Sequence, residues 1–139
     1  MDSFAKKYLI GLIAVLVLAA GAWYLNRDTR VADINAMLAA DSVLAGYPYP
    51  FRVRSLQNGV AIMGSPRTAD VPVMQFLRTA FPELRETAVN DAAMMAAQDR
   101  LVEKQSRAAE LVQGEDDVNA VRWELDERWY NEHGVFLNR

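Results

Sequence analysis

The chain has 139 residues, with 15 Lys and Arg against 18 Asp and Glu, a net charge of −3 and no cysteine. The acid excess excludes nucleic-acid binding carried by overall charge. Absence of cysteine excludes disulfides, thiol catalysis, lipoprotein acylation and cysteine metal sites, and leaves the compartment open.

Residues 8–25, YLIGLIAVLVLAAGAWYL, hold no charged side chain. As a helix they reach about 27 Å at ~1.5 Å per residue, close to the roughly 30 Å hydrocarbon core of a bilayer. Lys6 and Lys7 flank one end; Trp23, Tyr24, Arg27 and Arg30 flank the other, the pattern of an aromatic belt with snorkelling cations. A cleaved signal peptide competes with this reading, because Ala20-Gly21-Ala22 has the small-residue form of a cleavage site. The apolar run continues through Trp23-Tyr24-Leu25, which favours an uncleaved anchor. The expected organisation is a cytoplasmic N-terminus over 1–7, a transmembrane helix over 8–25, a polar linker over 26–30, and the rest exported.

Beyond the linker, Ile34, Met37, Leu38, Val43 and Leu44 recur at helical spacing and predict a helix over 31–45, ended by Gly46, Pro48 and Pro50. Two strands are predicted at 51–54 and 60–63. Asn58-Gly59 between them is a strong hairpin signal, and Pro66 limits the second strand. A second helix runs over 71–80 with Pro72 in its first turn. A third, weakly signalled strand is placed at 84–89. The longest helix covers 90–113, with Met94, Leu101 and Ala108 and also Met95, Val102 and Ala109 repeating at seven residues. After Gly114, the positions Val118, Val121, Leu125 and Trp129 fit a helix, while Val121, Trp123 and Leu125 alone fit a strand. The helix is the expected form.

Residues 31–89 resemble a BON domain (bacterial OsmY and nodulation domain). The resemblance rests on Ile34, Leu38 and Asp41 in a helix, Phe51 and Val53 in a strand, NGVAIMG over 58–64, and Phe81-Pro82-Glu83-Leu84 before a last strand. Pro66 stands where the family's second strand normally continues, and Glu83 replaces a glycine. The resemblance implies an exported, non-enzymatic domain linked to phospholipid contact or envelope integrity. The expected fold class is α+β: one transmembrane helix, a BON-like α-β-β-α-β domain with helices on a two- to three-stranded sheet, then a C-terminal helical extension over 90–139.

Chemistry is sparse. His133 is the single histidine, and a solvated surface role is expected for it. Gly64-Ser65 lacks the carboxylate pair that a nucleotidyltransferase motif needs. Glu115-Asp116-Asp117 lacks EF-hand spacing and reads as an acidic helix start. No enzyme activity, cofactor or metal is expected. Period two puts Arg52 and Arg54 on one strand face, and with Arg67 they are the candidate contacts for phospholipid phosphates or partner carboxylates, against the alternative of a plain solvated face. Trp123 and Trp129 are candidate partner-interface residues, against the alternative that their rings close the core. The expected setting is a bacterial inner membrane with the domain in the periplasm. The expected partners are the lipid bilayer, with anionic phospholipids or an envelope protein, and no nucleic acid. The alternative role is an accessory subunit of a larger membrane complex.

Overall fold

The computed structural model describes residues 2–25 and 29–137. Helix α1, Ser3–Leu25, is long and apolar enough to cross a membrane, and none of its span Ser3–Tyr24 is buried within the protein. The hydrophobic segment of a signal sequence meets the same description. Of the expected linker, only Thr29 and Arg30 fall among the described residues, and Arg30 already opens the next helix.

That helix, α2, runs Arg30–Ala40 and buries Ile34 and Leu38. It stops five residues short of the expected end. The Asp41 carboxylate accepts the Leu44 N–H at 3.2 Å, so the chain turns there instead of continuing. Two ion pairs hold α2 at its ends. Arg30 forks onto Asp117 at 2.8 and 2.7 Å, and Arg107 forks onto Asp41 at 3.3 and 2.8 Å.

Strand β1, Val53–Gln57, and strand β2, Val60–Ser65, form the hairpin that Asn58-Gly59 predicts. Both turn residues have positive φ, 52° and 79°, as the favoured two-residue hairpin turn requires. Val53 pairs with Met63 but Ser55 pairs with Ile62, so Arg54 is an extra residue in β1, a β-bulge. The bulge shifts the alternation, and Val53 and Leu56 thereby share the face of Met63 and Ala61.

Helix α3, Val73–Ala80, buries Phe76 and Leu77, each contributing about 1.5–3 kcal/mol by transfer from water. Residues 84–89 are not a strand. Pro82–Leu84 forms a 3-10 turn, and further turns follow as Thr87 donates to the Leu84 carbonyl. Helix α4, Ala92–Gln113, starts where Asp91 accepts the Ala93 N–H.

The third strand, β3, is Ala120–Leu125, and the short helix α5, Glu127–Glu132, follows it. The continuous helix expected here is overturned. β3 pairs with β2 in parallel over six residues, from Val60 with Ala120 to Ser65 with Leu125, and that ladder outweighs the helical phase. Asp126 then accepts the Trp129 N–H and starts α5 afresh.

The protein is thus a mixed α+β structure, a three-stranded sheet in the order β1-β2-β3 with helices packed against it. Val121, Trp123 and Leu125 are half-buried toward the core, while Arg122 and Glu124 are exposed on the opposite face. The two sheet edges differ. At β1, the Asn35 side-chain amide donates to the Val53 carbonyl at 3.0 Å and accepts the Val53 N–H at 2.7 Å, capping that edge at Val53 like a strand residue.

Candidate functional site

At the end of the sheet away from the hairpin, the start of β1, the end of β2 and the chain from Asp126 through α5 enclose a groove of about 480 Å³. Tyr49 and Pro50 form one wall, Arg52 and Arg54 a second, and Asp126, Arg128 and Glu132 a third.

Asp126 organises the groove. One carboxylate oxygen accepts the Tyr49 hydroxyl at 2.8 Å. The other accepts the Trp129 N–H at 3.1 Å and lies 3.4 Å from the Arg54 guanidinium. Arg54 also approaches Glu124 at 3.7 Å and the Leu125 carbonyl at 3.4 Å. It reaches them by crossing Gly64, where a β-carbon would lie 3.5 Å from Arg54 Nε and 2.8 Å from the Tyr49 hydroxyl oxygen. Burial, reinforced by the Asp126 charge, holds the Tyr49 hydroxyl well above the ordinary phenol range, so it stays a hydrogen-bond donor.

The three candidate arginines do not converge. Arg52 and Arg54 share this groove, but Arg54 is engaged by acids, while Arg128 pairs with Glu132 at 3.1 Å. Arg52 is exposed, and its side chain has no ion pair or hydrogen bond among the described residues. Arg67 lies elsewhere, donating to Gln105 at 3.3 Å and lining a second hollow of about 200 Å³ with Val102, Ala109 and Trp123.

Trp129 is not an outward-facing contact. It is 5% exposed, with its ring centroid 5.8 Å from Tyr49, 5.2 Å from Phe76 and 5.0 Å from Tyr130. Its ring closes the core. Trp123 is half-buried, with its ring edge-on to Phe51 at 6.2 Å. His133 stacks on Trp129 at 4.1 Å between centroids, and its Nδ1 lies 2.7 Å from the Trp129 carbonyl. Glu115 and Asp117 both face Arg30.

Tyr49, Asp126, Arg128 and Glu132 were not candidates from sequence. The available signal was Asp126 three residues before Trp129, a helix-capping spacing hidden by the continuous helical phase around it. No family model, no curated protein and no solved structure matches the chain.

Proposed function

We propose that the chain is a non-enzymatic, single-pass membrane-anchored binding module of the bacterial envelope. In this reading its BON-like domain faces the periplasm, and the groove at Arg52 takes an anionic group, a phospholipid phosphate or the carboxylate of an envelope protein. The observation that carries it is Arg52, the one cation of the groove without an acid partner among the described residues. An exposed guanidinium left free can offer a planar fork of donors to phosphate or carboxylate. The exposed apolar α1 supports the anchor. The order α2-β1-β2-α3, with a later strand parallel to β2, supports the BON-like reading, although that strand stands at Ala120–Leu125 rather than over 84–89.

The test is flotation of the full chain, held in phosphatidylcholine nanodiscs, with separate vesicles of phosphatidylglycerol. Arg52→Glu is expected to weaken association at least fivefold. Association equal to wild type would remove the lipid form of the proposal. The second reading, a subunit of a larger membrane complex, draws on α4, where Met95 and Val102 are 55% and 51% exposed on one stripe. Co-purification in mild detergent supports that reading, and a chain that elutes without other proteins counts against it.

A further inference from the structure

We infer that β3 is a self-pairing edge, and that two copies of this chain join through antiparallel β3 strands related by a two-fold axis at Trp123. β1 has its outer edge occupied at Val53 by the Asn35 amide. Among the described residues no side chain covers β3 at Val121 or Trp123, and only its end, the Leu125 carbonyl, is approached, by Arg54 at 3.4 Å. The Ala120 N–H goes to the Gly59 carbonyl and the Asp126 N–H to the Ser65 carbonyl, so the even-numbered residues turn their amides toward β2. Val121 and Trp123 therefore turn theirs outward, and no described residue meets them. An open row of strand amides is a template for another strand.

The sequence of β3 selects what that strand is. Around Trp123 it reads Val-Arg-Trp-Glu-Leu over 121–125. Turned about Trp123, the copy sets Arg122 opposite Glu124 and Glu124 opposite Arg122, two opposite-charge cross-strand pairs on the exposed face. Val121 meets Leu125 and Trp123 meets Trp123 on the other face. Because Trp123 points its amide outward, it would form the hydrogen-bonded pair. Arg122 and Glu124 would then occupy the closer non-hydrogen-bonded pairs, where charges interact best. The Arg122 side chain is exposed with no ion pair or hydrogen bond among the described residues, whereas the Glu124 side chain has only the 3.7 Å approach of Arg54. A surface that complements its own copy is what a two-fold dimer requires. The hollow lined by Val102, Ala109 and Trp123 runs beside this edge and would take apolar side chains from the second copy.

The test is sedimentation of the full chain in dodecyl maltoside, with three charge variants of unchanged secondary structure by circular dichroism. Wild type is expected to be a dimer. Arg122→Glu and Glu124→Arg each place two like-charged pairs in the joint and should weaken dimerisation about tenfold or more, given up to ~1 kcal/mol per cross-strand pair. The double swap Arg122→Glu with Glu124→Arg restores opposite charges and should return to within about threefold of wild type. A wild-type monomer at all concentrations overturns the proposal. A dimer indifferent to every variant also overturns it and moves the contact to α1 or another face. A double swap as weak as the single variants overturns it too, leaving Arg122 and Glu124 as contacts for a different protein's strand.

Discussion

The Arg54 guanidinium reaches the Asp126 carboxylate, 3.4 Å away, by passing over the bare α-carbon of Gly64. The bulge at Arg54 and the glycine at 64 are two halves of one device. The extra residue aims the arginine across β2, and the missing side chain clears its path. Gly64→Ala should therefore cost about 1–3 kcal/mol in urea unfolding, because its methyl would press on the Tyr49 hydroxyl. Adding Tyr49→Phe should recover part of that loss. A fully additive double variant would show that the hydroxyl is not the obstacle.

Asp126→Ala removes an N-cap, the partner of a buried hydroxyl and the partner of Arg54 together. A cap is worth ~1 kcal/mol and an orphaned hydroxyl ~1–3, so a loss of about 2–4 kcal/mol is expected. Asp126→Asn keeps one oxygen to accept the Trp129 N–H, and its NH2 can donate to the Tyr49 hydroxyl oxygen, so it should lose less than half as much. Thermal or urea unfolding of the two variants separates the outcomes.

Acid stability should depend on the clamps of α2. Hydrogen bonds from Arg107 and Arg30 hold the carboxyls of Asp41 and Asp117 below their usual value of 3.8. The unfolded chain then takes up these protons first as pH falls. The stabilisation is complete above about pH 4 and drains away as pH drops through the lower folded values. Asp41→Asn should lower the urea midpoint at pH 7 and flatten its fall between pH 4 and 2. An acid limb as steep as wild type would remove Asp41 from the account.

Tyr47 should be expendable. Its hydroxyl is buried without a hydrogen-bond partner among the described residues, and burial pushes its pKa up to about 12. The raised value means that stability is fully present below pH 10 and lost as pH climbs toward 12. Tyr47→Phe should be neutral or stabilising by up to ~1 kcal/mol at pH 7 and should soften the alkaline loss. Urea midpoints at pH 7 and pH 11 measure both effects.

Trp129→Ala should cost about 3–5 kcal/mol, the value of an emptied aromatic core position. Expression and the unfolding midpoint check this. A substitution at Trp129 that left stability unchanged would favour the interface role over the core-closing one.

Local signals carried much of the fold. Asn58-Gly59 located the hairpin, Pro66 bounded β2, which runs to Ser65 rather than to the expected 63, and α4 starts within two residues of the expected 90. The two seven-residue stripes of α4 were visible, but their fates differ. Met94, Leu101 and Ala108 are buried, while Met95 and Val102 are exposed. That choice depends on where the sheet lies, which periodicity alone does not contain. The third strand was misplaced for a related reason. Leu84 to Val89 and Val121 to Leu125 both offered β-compatible residues, and β2 pairs with the second across more than fifty residues of sequence. The bulge was hidden as well, since Phe51, Arg52, Val53 and Arg54 alternate cleanly up to the point where the register slips. The groove inherited both uncertainties. Arg52 and Arg54 were legible as neighbours on one strand, but Asp126 and Arg128 reach them only through the unforeseen end of β3.

The double fastening of α2 has a mechanical consequence. Any tug arriving from the N-terminal side reaches α2 at Arg30, whose fork onto Asp117 ties that first residue to the chain leading into β3. Further along, Asn35 grips β1 and Asp41 grips α4. Load is thereby shared among three separate parts of the fold before any turn of α2 must unwind. Pulled from that side, the domain is thus strain-relieved where the chain enters it, as a cable is where it enters its housing.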